Sequence, residues 1–165
     1  MTEQINNEEL KEFYNKGILA FEKKNYDYAI EIFSQILSSK YDHLEARRYL
    51  HLSLKNKSGA VRSSFIANMV NSVTRLLGTL SAEVLLKKGN ISAALERLEK
   101  IITANPNDSL TLKKIADIFY KNNLIPHAIQ NLEEAKSINP QDTGVLKKLG
   151  DLYLKKEDYQ NAKAN

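Results

Sequence analysis

The sequence predicts an all-α fold made of repeated helix pairs, and three observations carry that prediction. Only 6 Gly and 3 Pro occur in 165 residues, too few for a β-architecture studded with turns. Two loops, Asn105-Pro106-Asn107-Asp108 and Asn139-Pro140-Gln141-Asp142, share the pattern Asn-Pro-x-Asp and lie 34 residues apart. Each ends on an Asp placed to cap the next helix. A small residue stands 12 positions before an alanine four times, at Gly17 and Ala29, Ala82 and Ala94, Ala116 and Ala128, and Gly150 and Ala162. The last three pairs again recur every 34 residues, and a fixed period of that size signals a repeat architecture.

A polar lead-in, 1–9, precedes the repeats. Units then run near 10–43, 44–74, 75–108, 109–142 and, in part, 143–165. The first helices of the units are expected near 10–23, 44–57, 75–88, 109–122 and 143–156. The second helices are expected near 26–39, 60–73, 92–104 and 126–138, with Pro126 tolerated because it opens its helix. Helix axes approach to about 8 Å only where side chains are small, which is the steric reason for the paired Gly and Ala positions. Large residues then fill the adjoining layer: Phe13, Leu112 and Leu146 early in the first helices, Leu85, Phe119 and Tyr153 further on, and Ile36 and Ile101 late in the second.

The second unit departs from the cadence. Its small-residue place holds His51, its alanine place holds Ser63, and the third unit starts 31 residues later. Its second helix is read as altered or lengthened, with an apolar stripe at Phe65, Ile66, Met69, Val70, Val73, Leu77 and Leu80 expected to pack in the core. The fifth unit stops three residues after Ala162, where its second helix would begin. That truncation reads as part of a longer repeat protein, with an open C-terminal face available for self-association.

The recurring Gly and Ala pairs and the two Asn-Pro-x-Asp loops resemble the tetratricopeptide repeat family. The resemblance implies a right-handed α-solenoid with its second repeat irregular and its fifth truncated, whose concave groove holds a peptide or helix of a partner protein. Carried over position by position, it implies groove residues at Tyr14, Arg48, Leu52, Lys55, Lys113, Asp117, Tyr120 and Lys147. The subfamily that grips a C-terminal carboxylate uses Lys and Asn where this chain has Tyr14 and Ile18, so that activity does not transfer. Lys113 with Asp117, and Lys147 with Asp151, are four apart on one helix and are expected to pair.

Charge is uneven along the chain. Residues 1–45 have a net charge of −4, 46–90 of +7 and 91–165 of +1. Arg47, His51 and Lys55 recur every four residues and predict a basic stripe, extended to a patch by Lys57 and Arg62. Such a patch reads as a solvated face or as a site for an acidic protein segment, with nucleic acid or an anionic membrane surface as the alternative. Nucleic acid is disfavoured because 50–64 holds no aromatic residue for base stacking.

Chemistry is scarcely signalled. With no Cys and three scattered His, at 43, 51 and 127, neither a thiolate nor a His-rich metal site is expected, and no cofactor motif is present. Neither a glycine-rich phosphate loop nor a nucleophile elbow occurs, so the expectation is a non-enzymatic protein. The start is polar and acidic, and the longest uncharged run, 63–74, is far short of the roughly 20 apolar residues of a membrane span. A cytoplasmic binding scaffold is the resulting expectation.

Overall fold

A computed structural model describes residues 7–57 and 65–164, with side chains at 8–57 and 72–157. Its regular structure among those residues is entirely helical: α1 (Asn7–Glu22), α2 (Tyr26–Ser39), α3 (Leu44–Lys57), α4 (Phe65–Lys87), α5 (Ile91–Ala104), α6 (Ser109–Lys121), α7 (Ile125–Ile138) and α8 (Thr143–Ala164). The chain forms two compact units, Met1–Pro106 and Asn107–Asn165.

Local chemistry sets the helix starts. Asp108 accepts the Thr111 amide at 3.2 Å and Asp142 that of Val145 at 3.1 Å, so both Asn-Pro-x-Asp loops end in the expected caps. Asn25 and Asn90 accept the amides of Tyr28 and Ala93. The turns into α2, α5 and α7 are alike: Lys24, Gly89 and Asn123 have φ of 59°, 76° and 59°, the left-handed conformation that ends a helix.

His43 caps α3 in place of the usual oxygen, its Nδ1 accepting the Ala46 amide at 3.1 Å. Burial, followed by nearby Lys40, holds its pKa below the ordinary 6.5. Above pH 6.5 the imidazole is neutral in both folded and unfolded chains, and the cap contributes in full. As pH falls below 6.5 the unfolded chain binds the proton first, so that stability drains away until the folded value is passed. We expect urea midpoints of the wild type to fall between pH 7 and 5, and less steeply in His43→Asn, whose side chain caps without titrating. Equal slopes for the two proteins would show that the cap does not titrate.

In the first unit α1 packs on α2, α2 on α3 and α4 on α5, and α3 also touches α1 and α5. The small residues act as anticipated. A Cβ on Gly17 would lie 2.7 Å from the Phe33 ring; Gly78, which is not among the anticipated crossing residues, also permits a close crossing, its Cβ position lying 2.8 Å from Ile101. Ala29, Ala82 and Ala94 are buried, as are Ile36 and Ile101. In the second unit α7 packs on both α6 and α8, around Leu112, Ala116, Phe119, Ala128, Leu132 and Ala135.

Two expectations fail. Separate helices at 60–73 and 75–88 are replaced, over the described residues, by the single helix α4. Between 72 and 80 there is no Pro, and the lone Gly78 sits inside the helix where α5 crosses, so nothing breaks the helical periodicity. The stripe assigned to the core is therefore not buried there: Val73, Leu77 and Leu80 are each more than half exposed. Phe65, Ile66, Met69 and Val70 lie outside the described side chains.

The second failure concerns α8, which continues to Ala164 instead of turning near 157. Glu157 stands where Gly89 and Asn123 make their turns; Lys24 shows that a long side chain can adopt the positive φ, but 154–160 holds no Gly, Asn or Pro to end the helix. The helix buries Val145, Leu149 and Leu152, whereas Leu146 and Tyr153 are 43% and 42% exposed. Gly150 meets no atom within 4 Å of its Cβ position, so the crossing expected there is absent.

Candidate functional site

The second unit carries a cleft of about 230 Å³ lined by Ala116, Asp117 and Tyr120 of α6, Leu132 of α7, and Lys148, Asp151 and Leu152 of α8. The 34-residue period explains why it exists. Residues 117 and 151 occupy the same place on successive first helices, so both carboxylates come to one opening. Ala116, Leu132 and Leu152 are buried and make an apolar floor, while Tyr120 is 43% exposed at the rim.

Lysines bridge the rim. Lys148 donates to Asp117 at 2.6 Å, and Lys155 donates to the Tyr120 hydroxyl at 2.6 Å while lying 4.6 Å from the ring centroid. Further along, Lys113 donates to Asp142 at 2.7 Å. That lysine, with the Val145 amide, holds the Asp142 carboxyl below the usual aspartate value. The expected Lys113–Asp117 pair within α6 is thus corrected: each side chain reaches across to the next helix or its cap. Lys147 is exposed on α8 and lies apart from the cleft lining.

In the first unit the predicted groove residues differ in exposure. Tyr14 is half-buried in an aromatic cluster, stacked on His43 with centroids 5.3 Å apart and edge-on to Phe33 and Tyr49. Burial, then Glu45, raises its pKa. Arg48 is exposed beside Glu45 at 3.6 Å, and Leu52 and Lys55 are partly covered.

The basic patch is also corrected. Arg47 and His51 are only 1% and 2% exposed, and both face Glu99 of α5. Arg47 pairs with one carboxylate oxygen and donates to the Tyr41 carbonyl at 2.8 Å, while His51 Nε2 lies 3.0 Å from the other. With α4 uninterrupted, α5 is the helix that meets this face of α3, and Glu99 compensates the buried cation. Lys57 pairs with Asp27, and Arg62 lies outside the described residues. The stripe of Arg47, His51 and Lys55 therefore presents no continuous basic surface. A second cleft of about 210 Å³ opens above this cluster, lined among others by Ser34, Tyr41, Arg47, Leu95, Glu99 and Thr103.

Glu99, Lys148 and Lys155 were not among the residues singled out from sequence. The signal for Glu99 was indirect: two polar residues at core-facing places of α3 required an acid from a neighbouring helix. For Lys148 no signal existed, since adjacent Lys147 fits the same pattern and only the rotation of α8 separates them.

Among the described residues no group of three His, Asp or Glu is placed to hold a metal ion, and no helix is long and apolar enough to cross a membrane. A scan against protein families finds no match for the chain, and a search of curated proteins finds none.

Proposed function

We propose that the chain is a tetratricopeptide-type binding scaffold, a right-handed solenoid that holds a peptide or helix of a partner protein and performs no chemistry itself. The observation that carries the reading is the cleft between α6 and α8, with its apolar floor and charged rim. At about 230 Å³ it is smaller than the roughly 300–1,000 Å³ of small-molecule sites, and suits one anchoring side chain of a longer ligand. Tyr120 is the rim residue best placed to provide contact area, and the Asp117–Lys148 and Tyr120–Lys155 bridges can exchange for ligand contacts at small cost because they are exposed.

The solenoid arrangement rests on the 34-residue cadence and on the repeated turn at Lys24, Gly89 and Asn123. The non-enzymatic reading rests on the His residues: His43 caps a helix, His51 faces Glu99 and His127 packs its ring on Phe119 at 5.0 Å. An acidic ligand has less support than the charge distribution suggested, because Arg47 and His51 are spent on Glu99.

Selection of a displayed random-peptide library on the purified chain tests the proposal. We expect enriched peptides whose binding weakens by about tenfold or more in Tyr120→Ala/Lys148→Glu, the loss of one rim anchor and reversal of one charge. Peptides that bind the variant undiminished would remove the α6–α8 cleft from the function.

A further inference from the structure

Helix α4 is apolar on two opposite sides. One side, with Gly78 and Ala82, is closed by α5. The other presents Val73, Leu76, Leu77, Leu80 and Val84, every one more than half exposed. Spacings of three and four residues keep these five on one stripe. A contiguous exposed stripe of large apolar side chains marks an interaction surface.

We propose that a second copy of this chain covers the stripe, the two α4 helices packing antiparallel about a two-fold axis. The stripe is its own complement. Reversed on itself about the midpoint between residues 78 and 79, Val73 falls opposite Val84, Leu77 opposite Leu80, and Leu76 opposite the smaller Ser81. An isologous interface needs this property: one patch that matches itself when inverted. Charge selects the same direction. A parallel pair would stack Glu83 on Glu83 and Lys87 on Lys87. The antiparallel pair sets Glu83 opposite Thr74 and separates the two Lys87 residues by 17 positions, about 26 Å along the helix, well beyond the screening length of about 8–10 Å. It also places each helix's positive end beside its neighbour's negative end.

The stripe's edges favour a protein partner over a bilayer. An interfacial membrane helix carries Lys and Arg along its polar margins. Here the margins from 72 to 81 are Ser72, Thr74, Thr79 and Ser81, uncharged side chains that two copies can bring together without repulsion, and the charged residues beyond them, Glu83 and Lys87, are of opposite sign. The proposal stands apart from the peptide cleft, which lies in the other unit.

Sedimentation equilibrium of the full chain, from low to high micromolar, tests it. We expect a monomer–dimer equilibrium, weakened roughly a hundredfold in Leu77→Lys/Leu80→Lys because like charges then meet across the axis. Thermal unfolding of that variant should match the wild type, since the side chains replaced are exposed. Direction is read by cross-linking, which is clean because the chain has no Cys. Mixed Val73→Cys and Val84→Cys chains should join through a short bismaleimide far faster than either variant joins itself. A wild type that stays monomeric throughout, faster coupling of Val73→Cys to itself, or sedimentation of the monomer with phosphatidylcholine–phosphatidylserine vesicles would each overturn the proposal.

Discussion

Replacing Glu99 with alanine is expected to destabilise the first unit by about 3–5 kcal/mol, the largest effect expected of a single charge change among the described residues. Arg47 is 1% exposed and His51 2%, so neither can turn to water when the carboxylate goes. The guanidinium keeps its bond to the Tyr41 carbonyl but loses its counter-charge in a site of low dielectric. Because the penalty comes from an orphaned cation and not from the worth of the pair, Arg47→Met/Glu99→Leu should recover most of the loss. Urea unfolding followed by circular dichroism measures both. A Glu99→Ala protein as stable as the wild type would mean that Arg47 is solvated in the native state. A double variant no better than the single one would mean that the cluster is needed for its geometry and not merely for neutrality.

Phe33→Ala should cost a comparable 3–5 kcal/mol. The ring is fully buried, stacked on Tyr49 at 5.6 Å, edge-on to Tyr14 at 6.0 Å, and lodged where Gly17 leaves room for it. The lost side chain opens a hole at the junction of α1, α2 and α3, whose other rings cannot all collapse into it. The same contact makes Gly17→Ala costly in the wild type, about 1–3 kcal/mol, because the new Cβ would overlap the Phe33 ring. In the Phe33→Ala background that overlap disappears, so the two losses should be clearly non-additive, the double variant being more stable than their sum implies. Additive losses would separate the glycine from the ring and place its cost in backbone conformation instead.

The regular helices were legible because their signals are local. Asn-Pro-x-Asp ends one helix and caps the next within a few residues, and α2 and α3 occupy the spans expected for them, 26–39 and 44–57. Small residues at Gly17, Ala82, Ala94, Ala116 and Ala128 likewise fall at buried places, since a close crossing leaves no room for anything larger. The segment after Lys57 was misread because an apolar stripe records only that a helix face avoids water. Val73, Leu77 and Leu80 carry the same pattern whether a neighbouring helix of the same unit covers them or not.

The helical class, most helix boundaries and the 34-residue rhythm are properties of short stretches of backbone and of side-chain size, and are readable residue by residue. Which charges meet is settled by helix packing alone. Packing turned Arg47 and His51 from an outward stripe into a buried cluster on Glu99, sent Lys113 to Asp142 in place of Asp117, and chose Lys148 over Lys147 for the cleft. The reason is physical: a charged side chain's partner depends on the rotation and approach of a second helix. A turn of one residue, about 100°, exchanges solvent for core without changing a single local preference.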